Sequence, residues 1–186
     1  MRITKAPEER RHEILDTAMR LFYEKGYEKT SITDIAREIG IAQGLCYRYF
    51  PSKESLFDCA IEQYARLLAD DIMQSVCGEE KSLKQMIGEM PAAVEKDNSD
   101  YYKVLHKMEN KKFHDQLSLK VCEMLMPQVT LLLKKAAADG ELQLDDPEAA
   151  ASFCVYGQLG ILLNRDLSVE ERGRRIRAFL IHMLEI

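Results

Sequence analysis

The chain has 186 residues, of which 46% are hydrophobic and 31% are charged, and its formal net charge is −5. This length favours one domain, or two small domains that share a core, and the composition excludes a largely disordered chain. Apolar runs are only a few residues long, as at 161–163, whereas a membrane span needs roughly 20 residues. The N-terminal residues lack the apolar stretch of a signal peptide, so we expect a cytoplasmic protein without a membrane partner.

The spacing of apolar residues predicts an all-α chain, with helices at about residues 8–25, 32–39, 43–50, 53–76, 81–95, 99–109, 115–138, 147–164 and 169–184. Several boundaries carry a local signal. Ser31 and Asp34 form a capping box at the start of the second helix, and Gly26 and Gly40 follow the first two helices. Pro127 should kink or split the helix predicted over 115–138.

Cysteine and histidine spacing gives little sign of a metal site. The chain has an odd number of cysteines, five, and none of them forms a Cys-x-x-Cys pair. We therefore expect buried, reduced thiols at Cys46, Cys59, Cys77, Cys122 and Cys154. His106, Glu109 and His114 form a weak candidate ligand set without a convincing fourth member. We therefore predict neither a metal nor another cofactor.

Charge is unevenly distributed along the chain. Residues 1–53 carry ten Lys and Arg against eight Asp and Glu, whereas the remainder carries sixteen against twenty-three. A weakly basic N-terminal segment on an acidic chain is the part expected to meet an anionic partner.

Residues 32–50 have the pattern of a helix–turn–helix. Two short amphipathic helices are joined by a turn at 40–42, and the second helix of such a motif fits the DNA major groove. The segment around it, residues 10–57, resembles the DNA-binding domain of the TetR family of transcriptional regulators. The strings that carry the resemblance are ILDTAMRLF at 14–22, KGY at 25–27, TSITDIA at 30–36, IGI at 39–41, YRYF at 47–50 and SKESL at 52–56.

This resemblance implies an all-α protein with an N-terminal three-helix helix–turn–helix domain, here residues 1–52. A long fourth helix would join it to an effector-binding and dimerisation domain at 53–186. The resemblance further implies a homodimer that binds double-stranded operator DNA and is released by an unknown small-molecule effector. A ligand-responsive repressor is thus the leading interpretation, and an activator is also compatible.

The third predicted helix supplies the candidate base contacts. The Gln43 amide suits a base edge, and the Arg48 guanidinium suits guanine or a phosphate. Gly44 lets the backbone come close to DNA. Leu45 stands where many family members have a small polar residue, so it is assigned to a thymine methyl group instead.

The resemblance assigns further DNA contacts beside these. Tyr47 and Tyr49 are similar to the family's phosphate-contacting aromatics, although one of them is as readily a packing residue. Thr33 and Lys53 are similar to contacts that flank the groove. Ala42 replaces the Ser or Thr that often opens the recognition helix, and it cannot cap that helix (a loss of ~1 kcal/mol).

The last two predicted helices are the best candidates for a subunit interface. The helix at 147–164 is apolar nearly all round, and the helix at 169–184 has an apolar stripe. An ordinary monomer core is the alternative. The candidate interface residues are Phe153, Gly157, Gly160, Ile176, Phe179, Leu180 and Met183.

Methionine is concentrated in the C-terminal part, where seven of nine follow residue 70. Methionine-rich interiors adapt to ligands of varied shape, although plain core packing accounts for any one of these residues as well. The candidate effector-pocket residues are Tyr64, Met73, Met90, Tyr102, His106, Phe113, Met124, Phe153 and Tyr156.

Two other classes of function compete with this interpretation. A small helical enzyme is disfavoured, because the chain has no Gly-rich phosphate loop, no His-Glu-x-x-His motif and no convincing nucleophile–base pair. A helical small-molecule or protein binding module without DNA affinity is the remaining alternative, which the acidic net charge keeps open.

Overall fold

The computed structural model describes residues 5–77, 81–90, 111–164 and 166–186, except the side chains of residues 23 and 111–114. Within these ranges the chain is all-helical, without strands, which confirms the predicted fold class. The helices are α1 Pro7–Lys25, α2 Ile32–Ile39, α3 Gln43–Tyr49, α4 Lys53–Val76, α5 Leu83–Glu89, α6 Lys111–Ala138, α7 Pro147–Tyr156, α8 Leu159–Leu162 and α9 Val169–Met183. The helix predicted at 99–109 lies outside the described residues.

The described residues form two compact units. The N-terminal unit contains residues 5–64 and 111–117, and the C-terminal unit contains 65–77, 81–90, 118–164 and 166–186. The continuous helix α4 contributes residues to both. No helix in the described ranges is long and apolar enough to cross a membrane.

Residues of α1, α2 and α3 form the core of the N-terminal unit. Ile14 and Phe22 of α1, Ile35 of α2 and Cys46 of α3 are all completely buried. The turn before α2 is fixed by Thr30, whose buried hydroxyl lies 2.9 Å from the Gly26 carbonyl oxygen and 3.1 Å from that of Leu21. A buried hydroxyl with such partners stabilises the turn instead of destabilising the core.

The C-terminal unit contains two apolar clusters. Cluster A consists of Leu83, Ile87, Leu133, Ala136, Leu142, Ala151, Cys154, Ile176, Leu180 and Leu184. Cluster B consists of Ala69, Cys122, Leu125 and Val155. Both clusters take residues from α6, so this helix is held along much of its length.

Of the two outcomes predicted for Pro127, a kink or a split of the helix, the split does not occur. Helix α6 continues through Pro127, because Leu125 and Leu133 on either side are both buried in the clusters. The helix predicted over 147–164 is instead broken after Tyr156, where Gly157 and Gln158 separate α7 from α8. Glycine is about 1 kcal/mol less favourable than alanine within a helix, which favours a break at this position.

The cysteines are buried only in part, as Cys46, Cys122 and Cys154 are buried while Cys59 is half-buried. Cys77 is exposed, contrary to the prediction, because it follows the last residue of α4. Burial raises the pKa of the Cys122 and Cys154 thiols to about 11.

Candidate nucleic-acid interface

Local hydrogen bonds fix the turn between α2 and α3. The capping box at the start of α2 is present, since the Ser31 hydroxyl accepts from the Asp34 N–H at 3.2 Å and the Asp34 carboxylate accepts from the Ser31 N–H at 3.0 Å. The Ser31 hydroxyl also donates to the Asp34 carboxylate at 2.6 Å. This bond, followed by the one from the Ser31 N–H, holds the pKa of Asp34 below its usual value. At the other end Gly40 adopts the left-handed conformation, with φ of 75° and ψ of 34°, which costs glycine little.

Gly40 and its successor close the end of α2. The Gly40 N–H bonds to the carbonyls of Ala36 and Arg37, and the Ile41 N–H donates to the Ala36 carbonyl at 2.9 Å. Carbonyls at the helix end are thereby satisfied. Only three residues then separate the end of α2 from the start of α3.

Helix α3 has a buried underside and an exposed face. Cys46 on the helix and Phe50 at its end are 0% and 1% exposed. The opposite face presents four of the predicted contact residues to solvent, namely Gln43, Gly44, Tyr47 and Arg48. Residues four apart share a helix face, and the structure brings these four together as their spacing predicts.

The other predicted contacts border this face in sequence. Thr33 is exposed near the start of α2, and Leu45 and Tyr49 of α3 are half-buried. Lys53 is the first residue of α4 and is also half-buried. Its ammonium nitrogen lies 4.1 Å from the centroid of the Tyr27 ring. Tyr27 belongs to the KGY string of the family resemblance, but no site role was predicted for it, because no local spacing connects it to Lys53.

Helix α3 lacks a side-chain cap, as predicted. Ala42 occupies the N-cap position and no side chain bonds to the first N–H groups of the helix. The Leu45 N–H donates to the Ala42 carbonyl at 2.9 Å. This seven-residue helix therefore depends on its packed underside for order.

Basic side chains of the N-terminal unit fall into two groups. Arg20 pairs with Glu38 at 2.6 Å, and Arg37 pairs with Asp34 at 3.3 Å. By contrast, Arg48 and Lys53 have no carboxylate oxygen within 4.0 Å among the described residues. The two cations that the sequence assigns to DNA are thus available to an external anion.

The structure brings the predicted effector-pocket residues together only in part. Met73, Met124 and Tyr156 all pack against cluster B. Met90 packs against cluster A instead, and Tyr64 is buried in the N-terminal unit.

Of the remaining pocket candidates only Phe153 has a described side chain, and it does not pack against cluster B. Phe153 is 69% exposed. Tyr102 and His106 lie outside the described residues, as does the side chain of Phe113. In the part of the chain that is described, no group of three His, Cys, Asp or Glu could hold a metal ion.

Five of the seven predicted interface residues line one groove in the C-terminal unit. Its lining consists of Phe153, Gly157, Gln158, Ile161, Ile176, Phe179 and Leu180. Phe153 and Phe179 are 69% and 57% exposed, so this groove leaves apolar surface uncovered in the single chain.

Two predicted interface residues lie elsewhere, and two lining residues were missed. Gly160 is exposed without lining the groove, and Met183 packs against cluster A. Gln158 and Ile161 line the groove although the sequence analysis did not select them. The position of Ile161, one turn after Gly157, is a signal that could have identified it.

Comparison with known proteins agrees with this geometry. Residues 14–60 match the family model described as "Bacterial regulatory proteins, tetR family". The HTH-type transcriptional repressor ComR of Escherichia coli K12 is 37% identical over 81 residues, which cover 43% of this chain and 38% of ComR. The matched segment spans between 18% and 38% of the length of three such curated relatives.

Solved structures match over nearly the whole chain. A putative TetR-family regulator from Mesorhizobium loti MAFF303099 is 23% identical with a TM-score of 0.72, covering 97% of this chain and 98% of that one. RolR in complex with resorcinol is 18% identical with a TM-score of 0.66, covering 96% and 89%. Identities this low establish the fold alone.

Proposed function

We propose that this chain, which belongs to the TetR family of bacterial regulatory proteins, is a ligand-responsive transcriptional regulator that represses until a small effector releases it from operator DNA. The observation that carries the proposal is the exposed face of α3, where Gln43, Gly44, Tyr47 and Arg48 stand above a buried underside. The name of ComR, a transcriptional repressor, supports repression. A regulator of this kind acts on chromosomal DNA in the cytoplasm and has no catalytic residues.

The residues divide into base-reading and phosphate-binding roles. Gln43 can form two hydrogen bonds with adenine, and Arg48 can form two with guanine or bind a phosphate. Gly44 has no side chain and so lets the helix backbone come close to DNA. Leu45 is proposed to contact a thymine methyl group. Phosphate contacts would come from Thr33, Tyr47, Tyr49 and Lys53, and these set affinity and register without reading sequence.

A homodimer would present two such faces to successive major grooves, about 34 Å apart. The groove of the C-terminal unit supports this, because Phe153 and Phe179 leave apolar surface uncovered in the single chain. Exposed apolar patches of this kind mark protein–protein contacts.

Cluster B is the proposed effector site. Met73, Met124 and Tyr156 pack around it, and flexible methionines with one phenol suit a small, largely apolar ligand. The fold neighbour RolR binds resorcinol, which supports an aromatic effector.

Helix α4 is the proposed connection between effector and DNA. It is continuous from Lys53, a phosphate contact, to Val76, and Ala69 and Met73 near its far end belong to cluster B or pack against it. A ligand releases DNA only if it binds the non-binding state more tightly. A hundredfold release requires about 2.7 kcal/mol of such coupling.

The test is a gel-shift titration with duplex DNA from upstream of the gene, competed by a shuffled duplex of equal length. We expect the upstream duplex to bind more tightly, and both affinities to fall as salt rises. Gln43→Ala should reduce the preference between the duplexes. Lys84→Ala, at an exposed position of α5, is the control and should leave the preference unchanged. Absence of binding to any duplex at low salt would instead favour the binding module without DNA affinity.

A further inference from the structure

Three aromatic rings of the N-terminal unit hold one another in place. The Tyr27 ring centroid lies 5.4 Å from that of Phe22 and 4.7 Å from that of Phe57, with edge-to-face geometry toward Phe57. Phe22 is completely buried and Phe57 is 8% exposed, whereas Tyr27 is half-buried. Tyr27 therefore has a fixed ring and an accessible side.

The ammonium group of Lys53 lies against this ring, 4.1 Å from the centroid. That distance is within the range of about 6 Å in which a cation is attracted to an aromatic face. Among the described residues no carboxylate oxygen lies within 4.0 Å of the ammonium nitrogen. The Tyr27 ring is therefore the interaction partner observed for this group.

The ring remains neutral under ordinary assay conditions. Burial, followed by the charges of Glu54, Glu28 and Asp58, raises the pKa of the Tyr27 phenol. The contact is therefore between a cation and an uncharged ring, which phenylalanine reproduces and an aliphatic side chain does not.

We propose that Tyr27 is a positioning residue for Lys53, holding its ammonium group ready to bind a phosphate of duplex DNA. This inference rests on the proposed DNA-binding function. A free lysine side chain samples many rotamers, and binding has to remove that freedom. Contact with a fixed ring restricts Lys53 in advance without neutralising its charge.

The alternative is that Tyr27 only packs the core. In that case Tyr27→Leu lowers stability but affects DNA binding equally whether or not Lys53 is present. A positioning role predicts an effect that disappears when Lys53 is removed, so a double-mutant cycle separates the two.

The experiment measures fluorescence anisotropy of a labelled 30-base-pair duplex of random sequence, because phosphate contacts do not depend on sequence. The proteins are wild type, Tyr27→Phe, Tyr27→Leu, Lys53→Ala and the Tyr27→Leu/Lys53→Ala double variant, each from low to moderate NaCl. Tyr27→Phe should bind like wild type, and Tyr27→Leu should bind about two- to fivefold more weakly. The salt slope should fall by about one for Lys53→Ala and stay unchanged for Tyr27→Leu, which retains the charge.

In the Lys53→Ala background, Tyr27→Leu should have no further effect on affinity. An equal loss in both backgrounds, or no loss in either, would overturn the positioning role while leaving DNA binding intact. Failure of the wild type to bind the duplex at low salt would overturn the proposed function and this inference with it.

A second measurement does not require the leucine variant to fold. In the wild-type protein, NMR of selectively labelled lysine should show the ε-methylene protons of Lys53 shifted upfield by the ring current of Tyr27. Tyr27→Phe should preserve the shift. An ordinary lysine shift at Lys53 in the wild type would show that the contact is not populated and would overturn the proposal.

Discussion

Truncating Phe153 should weaken a homodimer strongly while leaving the subunit folded. The side chain is 69% exposed in the single chain, and full burial of a phenylalanine contributes about 1.5–3 kcal/mol. Covering the exposed part in a dimer would then contribute about 1–2 kcal/mol per copy, or about 2–4 kcal/mol for both. Phe153→Ala should accordingly raise the dimer dissociation constant by about 30- to 900-fold.

Leu131→Ala provides a matched control, because Leu131 is also 69% exposed but does not line the groove. Gly157 is unsuitable for this purpose although it does line the groove. A Cβ atom there would clash with the Phe153 carbonyl oxygen, so any side chain would disturb the end of α7 as well as the interface.

Sedimentation equilibrium from nanomolar to micromolar concentration measures the dissociation constants, and thermal unfolding of the monomeric fraction checks that each variant folds. A wild-type protein that is monomeric at micromolar concentration would refute the assignment of the groove to a dimer. If Phe153→Ala and Leu131→Ala weakened the dimer equally, the groove would not be the specific site of dimer contact.

Three further predictions concern DNA readout, thiol chemistry and effector coupling. Gln43→Ala should relax preference at one operator position by about 1–3 kcal/mol, whereas Lys53→Ala should weaken all sequences alike; equal changes in specificity would contradict these roles. At pH 8 a thiol reagent should modify exposed Cys77 first. Burial raises the pKa of the Cys122 and Cys154 thiols to about 11, so both remain protonated and should react only when the protein unfolds. Uniform reaction of all five thiols would contradict the described core. Titrating a tight cluster B ligand into a preformed operator complex should lower DNA affinity, and unchanged affinity at saturation would exclude coupling through α4.

Helices of the N-terminal unit could be located from sequence because their boundaries are marked locally. The capping box of Ser31 and Asp34 and the left-handed Gly40 act within a few residues, so each signal is visible in a short window. The exposed face of α3 follows from spacing for the same reason.

Features that depend on contacts distant in sequence could not be found this way. Tyr27 meets Lys53 only because Phe22 and Phe57 fix its ring. Composition indicated a methionine-rich interior, but it could not assign Met73 and Met90 to different clusters. The break at Gly157 was hidden by the apolar residues around it, since apolar spacing alone does not weigh helix propensity against packing.

In helix α3, the residues that keep the helix folded differ from the residues proposed to contact DNA. Its order comes from Cys46 and Phe50 beneath it, and its exposed residues contribute little to stability, as surface substitutions change it by only about 0.5 kcal/mol. Exchange at Gln43 or Arg48 is therefore nearly free of folding penalties. A gene duplicate of this protein could acquire a new target sequence through a few surface substitutions, whereas drift at the two buried positions would be purged regardless of which DNA the copy came to bind.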